Sequence, residues 1–182
     1  MTEIQDRYRT VSGGFDTVIS AIGPEQWATP TPCSEWNTRD VVAHVVLGHR
    51  RVIANVEGGE AEPLGADEDA KEAWGQVTRA LEAITGEPTA LTVEIDGPTG
   101  KMAVDEIVGT FVCMDVLVHT WDLARAVGAD EHLDPALVQQ AYDALKPMDA
   151  MIRQPGVFSA KVEPPAGAEL QTEFLCFLGR RV

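Results

Sequence analysis

Apolar residues recur along the first half of the chain at intervals of three and four, a spacing that places them on one face of an α-helix. The first such run covers residues 4–22 and follows Thr2, a residue type that caps helices. The second covers residues 41–56 after Asn37, another capping residue, and the third covers residues 70–84. The pattern therefore predicts three amphipathic helices joined by polar loops.

The second half of the chain contains a short alternating stretch and a longer, more apolar run. Residues 89–95 alternate apolar and polar side chains, as a short strand does, before a turn rich in Gly and Pro. Residues 104–127 are apolar on nearly every side, which is typical of a helix in the middle of a bundle. Residues 135–145 and 170–178 supply further helical segments. We expect an all-α protein, a four-helix bundle with a short β segment and extra C-terminal helices, forming a single domain over residues 1–182.

Composition and charge narrow the choice of partners. The chain has 14 Lys and Arg against 29 Asp and Glu, a net charge of −15, and 45% of its residues are hydrophobic. A mostly disordered chain is excluded by that apolar content. Because a strongly acidic surface repels phosphate groups, we expect no nucleic-acid partner and no binding to an anionic membrane. A membrane span needs about 20 consecutive apolar residues, and we expect none.

The N-terminal residues and the cysteines indicate the compartment. The first residues show no basic region followed by an apolar core, so we expect no signal peptide. Cys33, Cys113 and Cys176 are odd in number and widely spaced, which argues against a disulfide framework or a cysteine zinc site. The sequence therefore predicts a reduced, cytoplasmic protein.

Three polar residues interrupt the most apolar helix and share one of its faces. At 100° per residue, His119 lies about 40° from Asp115, and Asp122 lies about 20° from Asp115 on the other side. An unpaired carboxylate in such surroundings costs several kcal/mol, so a cation should compensate it. A divalent metal bound by Asp115 and His119 would do so. Without a metal, a protonated His119 or an interhelical arginine would serve.

A third metal ligand has to come from another helix, and helical spacing leaves two candidates. His44 lies at the edge of the apolar stripe of the second helix, and His49 lies inside that stripe. His132 falls in the loop after the buried helix. Spacing alone does not choose between His44 and His49.

Three segments resemble a known family. They are TPCSEWNTRDVVAH at residues 31–44, DVLVHTWDLAR at residues 115–125 and FLGR at residues 177–180. Together they resemble the DinB-like metalloprotein superfamily and, within it, the N-terminal domain of mycothiol-dependent maleylpyruvate isomerase. The resemblance implies a DinB-like four-helix bundle that holds one divalent metal, zinc in the first place and nickel in the second. It also implies that the three ligands are His44, Asp115 and His119.

The resemblance further implies a chemistry. A low-molecular-weight thiol such as mycothiol or bacillithiol would be the cosubstrate, and its thiolate would add to a small electrophile, as in an S-transferase or an isomerase. Two departures qualify that reaction. The isomerase has a glutamate where this chain has Asp115, which is one methylene shorter, and we expect this chain to lack the additional C-terminal domain of the isomerase.

Several alternatives stay open from sequence. The open metal position could instead activate water, giving a hydrolase, or the bundle could bind a metal or ligand without catalysis. Asp122 either orients a ligand or forms an ion pair with Arg125 or Arg39. His49 is either a core residue or a neighbour of the metal ligands, and Cys33 is either reactive or inert. Bundles of this kind often pair through a helix face, which suggests a homodimer.

Overall fold

The structure, a computed structural model, describes residues 2–33, 35–98, 100–153 and 159–182. Ser34 and Thr99, which belong to the 31–44 motif and to the predicted turn, lie outside the described residues. The helices are α1 (Glu3–Ala21), α2 (Thr38–Glu57), α3 (Ala70–Gly86), α4 (Pro88–Leu91), α5 (Val104–Glu106), α6 (Cys113–Val127), α7 (Pro135–Leu145), α8 (Asp149–Ile152) and α9 (Leu170–Phe177). Strands β1 (Glu94–Gly97) and β2 (Gly100–Ala103) form an antiparallel pair. These elements confirm the predicted all-α fold with a short β segment.

Four long helices form the bundle. Helix α1 packs against α3 and α6, and α2 packs against the same two helices, so the four surround a shared core. The largest fully buried side chains include Phe15 of α1, Trp74 of α3 and Trp121 of α6. Helices α7 and α9 pack on each other, and α7 contacts α6, which brings the C-terminal part of the chain against the bundle.

Local sequence signals account for the helix boundaries. Thr2 accepts a hydrogen bond from the backbone N–H of Gln5, which satisfies a donor at the start of α1. Asn37 and Asp40 form a reciprocal capping box at the start of α2. Gly128 ends α6 with φ +72°, in the left-handed region that favours glycine. The predicted helix starts at Thr2 and Asn37 are therefore confirmed.

The predicted strand over residues 89–95 is wrong in its first part. Residues Pro88–Leu91 form a helical turn, because the fixed φ of Pro88 suits the first position of a helix. The strand begins at Glu94, and its register pairs Ile95 with Met102. Both of those side chains are buried, so packing against the core sets the position of the hairpin.

The apolar helical run from Val104 to Val127 is the centre of the bundle. It is long and apolar enough to cross a membrane, but 78% of its most apolar window is buried inside the protein, which is typical of a core helix. A π-helical segment, Ile107–Val112, interrupts it ahead of α6. Because the π segment ends before Asp115, the regular spacing from Asp115 to Asp122 is preserved.

Candidate metal centre

Helices α2 and α6 bring two imidazoles and one carboxylate together. His44 comes from α2, and Asp115 and His119 come from successive turns of α6. The Nε2 atom of His44 lies 3.3 Å from Oδ1 of Asp115, and Nε2 of His119 lies 3.4 Å from the same oxygen. One donor atom from each of the three residues falls within 4.8 Å of the other two. We call this set the front group.

The spacing of the front group suits a small metal ion. Zinc bonds to imidazole nitrogen and carboxylate oxygen are about 2.0–2.2 Å long, so ligands at tetrahedral angles lie roughly 3.3–3.5 Å apart. The two nitrogen–oxygen separations around Asp115, 3.3 Å and 3.4 Å, match that value. The residues present therefore fit a divalent metal.

The front group opens to solvent on one side. The side chains of His44 and Asp115 are 39% and 30% exposed, whereas that of His119 is 5% exposed. The ring of Trp36 stands beside the opening, with its centroid 4.7 Å from that of His44 and 5.9 Å from that of His119. Glu35, with φ +74°, forms the turn just before Trp36. Three donors with an exposed side follow the pattern of catalytic metal sites, which keep one position open.

A second set of donors lies behind His119, and we call it the rear group. It consists of Cys33, Asp122 and the second nitrogen of His119. The Nδ1 atom of His119 donates to Oδ2 of Asp122 at 2.9 Å, and the thiol of Cys33 donates to the same oxygen at 3.2 Å. Because a carboxylate oxygen can only accept, Nδ1 carries a proton and Nε2 is directed at the front group. Asp122 therefore orients His119, in the arrangement common for metal-binding histidines.

Arg180 is the cation of the rear group. Its Nη2 atom donates to Oδ2 of Asp122 at 2.8 Å, and its Nε atom lies 3.3 Å from Oδ1. Nη2 also lies 3.2 Å from the sulfur of Cys33. Both Arg180 and Asp122 are buried, so they form an internal ion pair. Removing either residue would leave the charge of the other buried without compensation.

The predicted ion pair of Asp122 with Arg125 or Arg39 is therefore wrong. Arg125 donates to Glu131 and covers the ring of Trp121, and Arg39 donates to backbone carbonyls of the loop before α3. Sequence reasoning missed Arg180 as the partner. The sequence shows only that Arg180 ends an apolar run, three residues after the last residue of α9, and this does not indicate an internal partner.

His49 lies in the core between α1, α2 and α3, and the front group does not include it. Its ring contacts those of Tyr8 and Trp74, with centroids 5.8 Å and 5.1 Å away. Its Nδ1 atom donates to the carbonyl of Val45 at 2.8 Å, and its Nε2 atom has no hydrogen-bond partner among the described residues. Burial lowers the pKa of His49 to about 4, so it is neutral at physiological pH.

The front and rear groups shift one another's pKa values. Burial alone would raise the pKa of Asp115, but the charge and hydrogen bond of His119, followed by those of His44, hold it well below its usual range. Burial alone would lower the pKa of His119, but Asp115 and the hydrogen bond to Asp122 raise it well above the usual value. For Asp122, burial is outweighed by His119 and Arg180, and the pKa falls to about 2. His119, Asp122 and Arg180 are thus charged groups inside an apolar bundle, and Asp115 pairs with His119 from the solvent-exposed side.

The three cysteines are free thiols. Cys33 is half-buried at the rear group, and Cys113 and Cys176 are buried elsewhere. Burial raises the pKa of the Cys113 thiol to about 12, which makes it a poor nucleophile.

Acidification should destabilise the protein through His49. Its pKa of about 4 in the fold lies below the ordinary 6.5, so the unfolded chain binds the extra proton first and stability falls as the pH drops from 6.5 to 4. The expected loss is about 3 kcal/mol. In urea unfolding with chelator present, His49→Phe should remove most of this loss between pH 7 and pH 4.5. The exposed His132→Phe should leave it in place, and equal pH dependence in parent and His49→Phe would contradict the argument.

Fold and site together define the class of protein: an all-α bundle that groups histidine and carboxylate donors between two of its helices. The chain belongs to the family described as the mycothiol maleylpyruvate isomerase N-terminal domain, whose model matches residues 8–124. This confirms the resemblance seen in the sequence motifs. The matched range contains the front group, whereas Arg180 lies beyond it.

Two curated relatives have the same extent as this chain. They are uncharacterized proteins of Mycobacterium tuberculosis, from strains CDC 1551 / Oshkosh and ATCC 25618 / H37Rv. Each is 28% identical over 177 residues, which is 96% of this chain and 96% of the relative. No solved structure matches this chain significantly.

Proposed function

We propose that this protein holds one divalent metal ion through His44, Asp115 and His119 and uses it to activate a low-molecular-weight thiol for attack on a small electrophile. The observation that carries the proposal is the front group itself. Two imidazole nitrogens surround one carboxylate oxygen at separations of 3.3 and 3.4 Å, on the exposed side of the bundle. The description of the family to which the chain belongs includes the thiol mycothiol, and this supports a thiol as the cosubstrate.

The donor set favours zinc, with nickel as the second choice. Imidazole suits both metals, and the combination of two nitrogens with one oxygen is common in catalytic zinc sites. The shorter reach of Asp115, compared with the glutamate of the isomerase, restricts the carboxylate to the position between the two rings. We expect this restriction to favour a small ion at short bond lengths.

The residues around the front group prepare it for this use. A divalent metal with one open position lowers the pKa of a coordinated thiol and so supplies a nucleophilic sulfur at neutral pH. Asp122 fixes the proton of His119 on Nδ1 and leaves Nε2 available to the front group. The ring of Trp36 provides an apolar wall at the opening, where an electrophile has to approach. We place this activity in the cytoplasm, where free thiols stay reduced.

Metal content tests the site directly. Protein purified without added metal should contain about one equivalent of zinc or nickel by elemental analysis, and His44→Ala should lose it because one of the three ligands is gone. His132→Ala is the matched control, since His132 is exposed and pairs with Asp130 outside both groups. If His44→Ala keeps the full metal content of the parent, the front group is not the metal site.

Turnover tests the chemistry. With mycothiol and either maleylpyruvate or a generic electrophile, we expect thiol-dependent conjugation or isomerisation that a chelator abolishes. Ester or amide hydrolysis without added thiol would replace the proposal with a hydrolase. Firm metal retention without conjugation across a broad panel of electrophiles would leave a metal-binding bundle and would overturn the catalytic part.

A further inference from the structure

The front and rear groups share His119, so they form two overlapping sets of metal-type donors within the described part of the chain. The front group has Nε2 of His119 with His44 and Asp115, and the rear group has Nδ1 of His119 with Cys33 and Asp122. By ligand chemistry the rear group is the stronger zinc set, because it offers a sulfur besides a nitrogen and a carboxylate. Something must therefore decide which set takes a metal.

We propose that Arg180 makes this decision: its guanidinium fills the cation position of the rear group and confines the metal to the front group. The proposal rests on the proposed function in one respect, that the front group binds a metal.

The contacts of Arg180 are those that a metal in the rear group would have to replace. Its Nη2 atom touches both Asp122 and Cys33, at 2.8 Å and 3.2 Å, and its Nε atom lies 3.3 Å from the other oxygen of Asp122. A planar guanidinium paired with both oxygens of a carboxylate is a specific, directional arrangement. The side chain of Arg180 is 8% exposed and that of Asp122 is fully buried, so water does not weaken this pair.

Charge balance separates the two groups. In the rear group the carboxylate of Asp122 is already neutralised by a guanidinium, which stays charged at every accessible pH. A dication in the rear group would have to displace this guanidinium from Asp122 or stand beside it, so that two cations would share one buried carboxylate. In the front group the partners of Asp115 are imidazoles, which become neutral ligands when a metal binds. The front group can therefore take a dication, and the rear group is closed to one while Arg180 is in place.

Arg180 reaches the site through a constrained end of α9. Gly179 follows that helix with φ +86°, and a Cβ on it would lie 2.8 Å from Ser159 and 3.0 Å from the carbonyl of Ala160. The backbone N–H of Arg180 donates a hydrogen bond to the carbonyl of Leu175, and its Nη1 atom donates one to the carbonyl of Leu178. The guanidinium is thus held in position by the turn as well as by Asp122.

Cobalt spectroscopy tests the proposal, because Co²⁺ bound by a thiolate shows an intense sulfur-to-metal absorption that nitrogen and oxygen ligands do not give. Parent protein with Co²⁺ should lack this absorption. Arg180→Met should gain it, and Arg180→Met combined with Cys33→Ser should lose it again. Arg180→Lys, which keeps a cation, should behave like the parent. Arg125→Met is the matched control, since it removes an arginine that pairs with Glu131.

Several results would overturn the proposal. They are a thiolate absorption in the parent, or none in a folded Arg180→Met. If Arg180→Met does not fold, the comparison of parent with Cys33→Ser decides: equal Co²⁺ affinities and spectra support the assignment, and a tenfold loss of affinity in Cys33→Ser contradicts it. A parent that binds no Co²⁺ refutes the front-group proposal. Even in that case, a thiolate absorption seen in Arg180→Met and not in the parent would show that Arg180 closes the rear group.

Discussion

Replacing Asp115 by alanine should abolish metal binding and every metal-dependent activity while the protein remains folded. The carboxylate of Asp115 is the anionic donor of the front group, and both imidazole nitrogens lie within 3.4 Å of its Oδ1 atom. Without this carboxylate, a metal ion would meet only the two imidazole rings, which are either neutral or positively charged like the ion itself. The affinity loss, measured by competition with a chromophoric chelator, should exceed the roughly 10–100-fold that changes outside the ligand shell produce.

The conservative variant separates ligand loss from general damage. Asp115→Glu restores the acid found in the isomerase and keeps the charge, so it should retain metal and show an altered affinity or preference between zinc and nickel. Asp130→Ala, which removes an exposed carboxylate paired with His132, should bind metal as the parent does. Metal affinity in Asp115→Ala within threefold of the parent would remove Asp115 from the ligand set.

The shared face of Asp115, His119 and Asp122 could be predicted from the sequence, because helical geometry alone places these residues together. The same geometry left His44 and His49 as equal candidates. They are five residues apart, which turns them about 140° from each other on α2. His44 therefore faces α6 and His49 faces α1 and α3, and only the packing of the bundle shows which neighbour lies at each angle.

The partner of Asp122 could not be predicted from the sequence in this way. Arg180 lies 58 residues further along the chain, beyond α7, α8 and α9. Periodicity describes contacts within one element and carries no information on which distant charge meets a buried acid. Arg39 and Arg125 were closer in sequence, but their guanidinium groups are taken by loop carbonyls and by Glu131. The π segment before α6 could not be predicted either, since its residues are as apolar as those of a regular helix.

Replacing Asp122 by alanine should produce the largest loss of stability among single changes at the site. Asp122 is fully buried and accepts hydrogen bonds from Arg180, His119 and Cys33. Its removal leaves the guanidinium of Arg180 inside the protein without a counter-charge, which typically costs about 3–5 kcal/mol. For a chain of this length, that corresponds to a decrease in Tm of about 6–20 °C.

The comparison needs metal-free protein, so that the loss of a bound ion does not add to the effect. In chelator, urea or thermal unfolding of Asp122→Ala should be compared with Glu131→Ala, which removes the exposed partner of Arg125 and should cost about 1 kcal/mol or less. Asp122→Ala combined with Arg180→Met should recover part of the loss, because neither charge is then left unpaired. If Asp122→Ala and Glu131→Ala are equally stable, the buried pair of Asp122 and Arg180 does not stabilise the fold, which would contradict the argument.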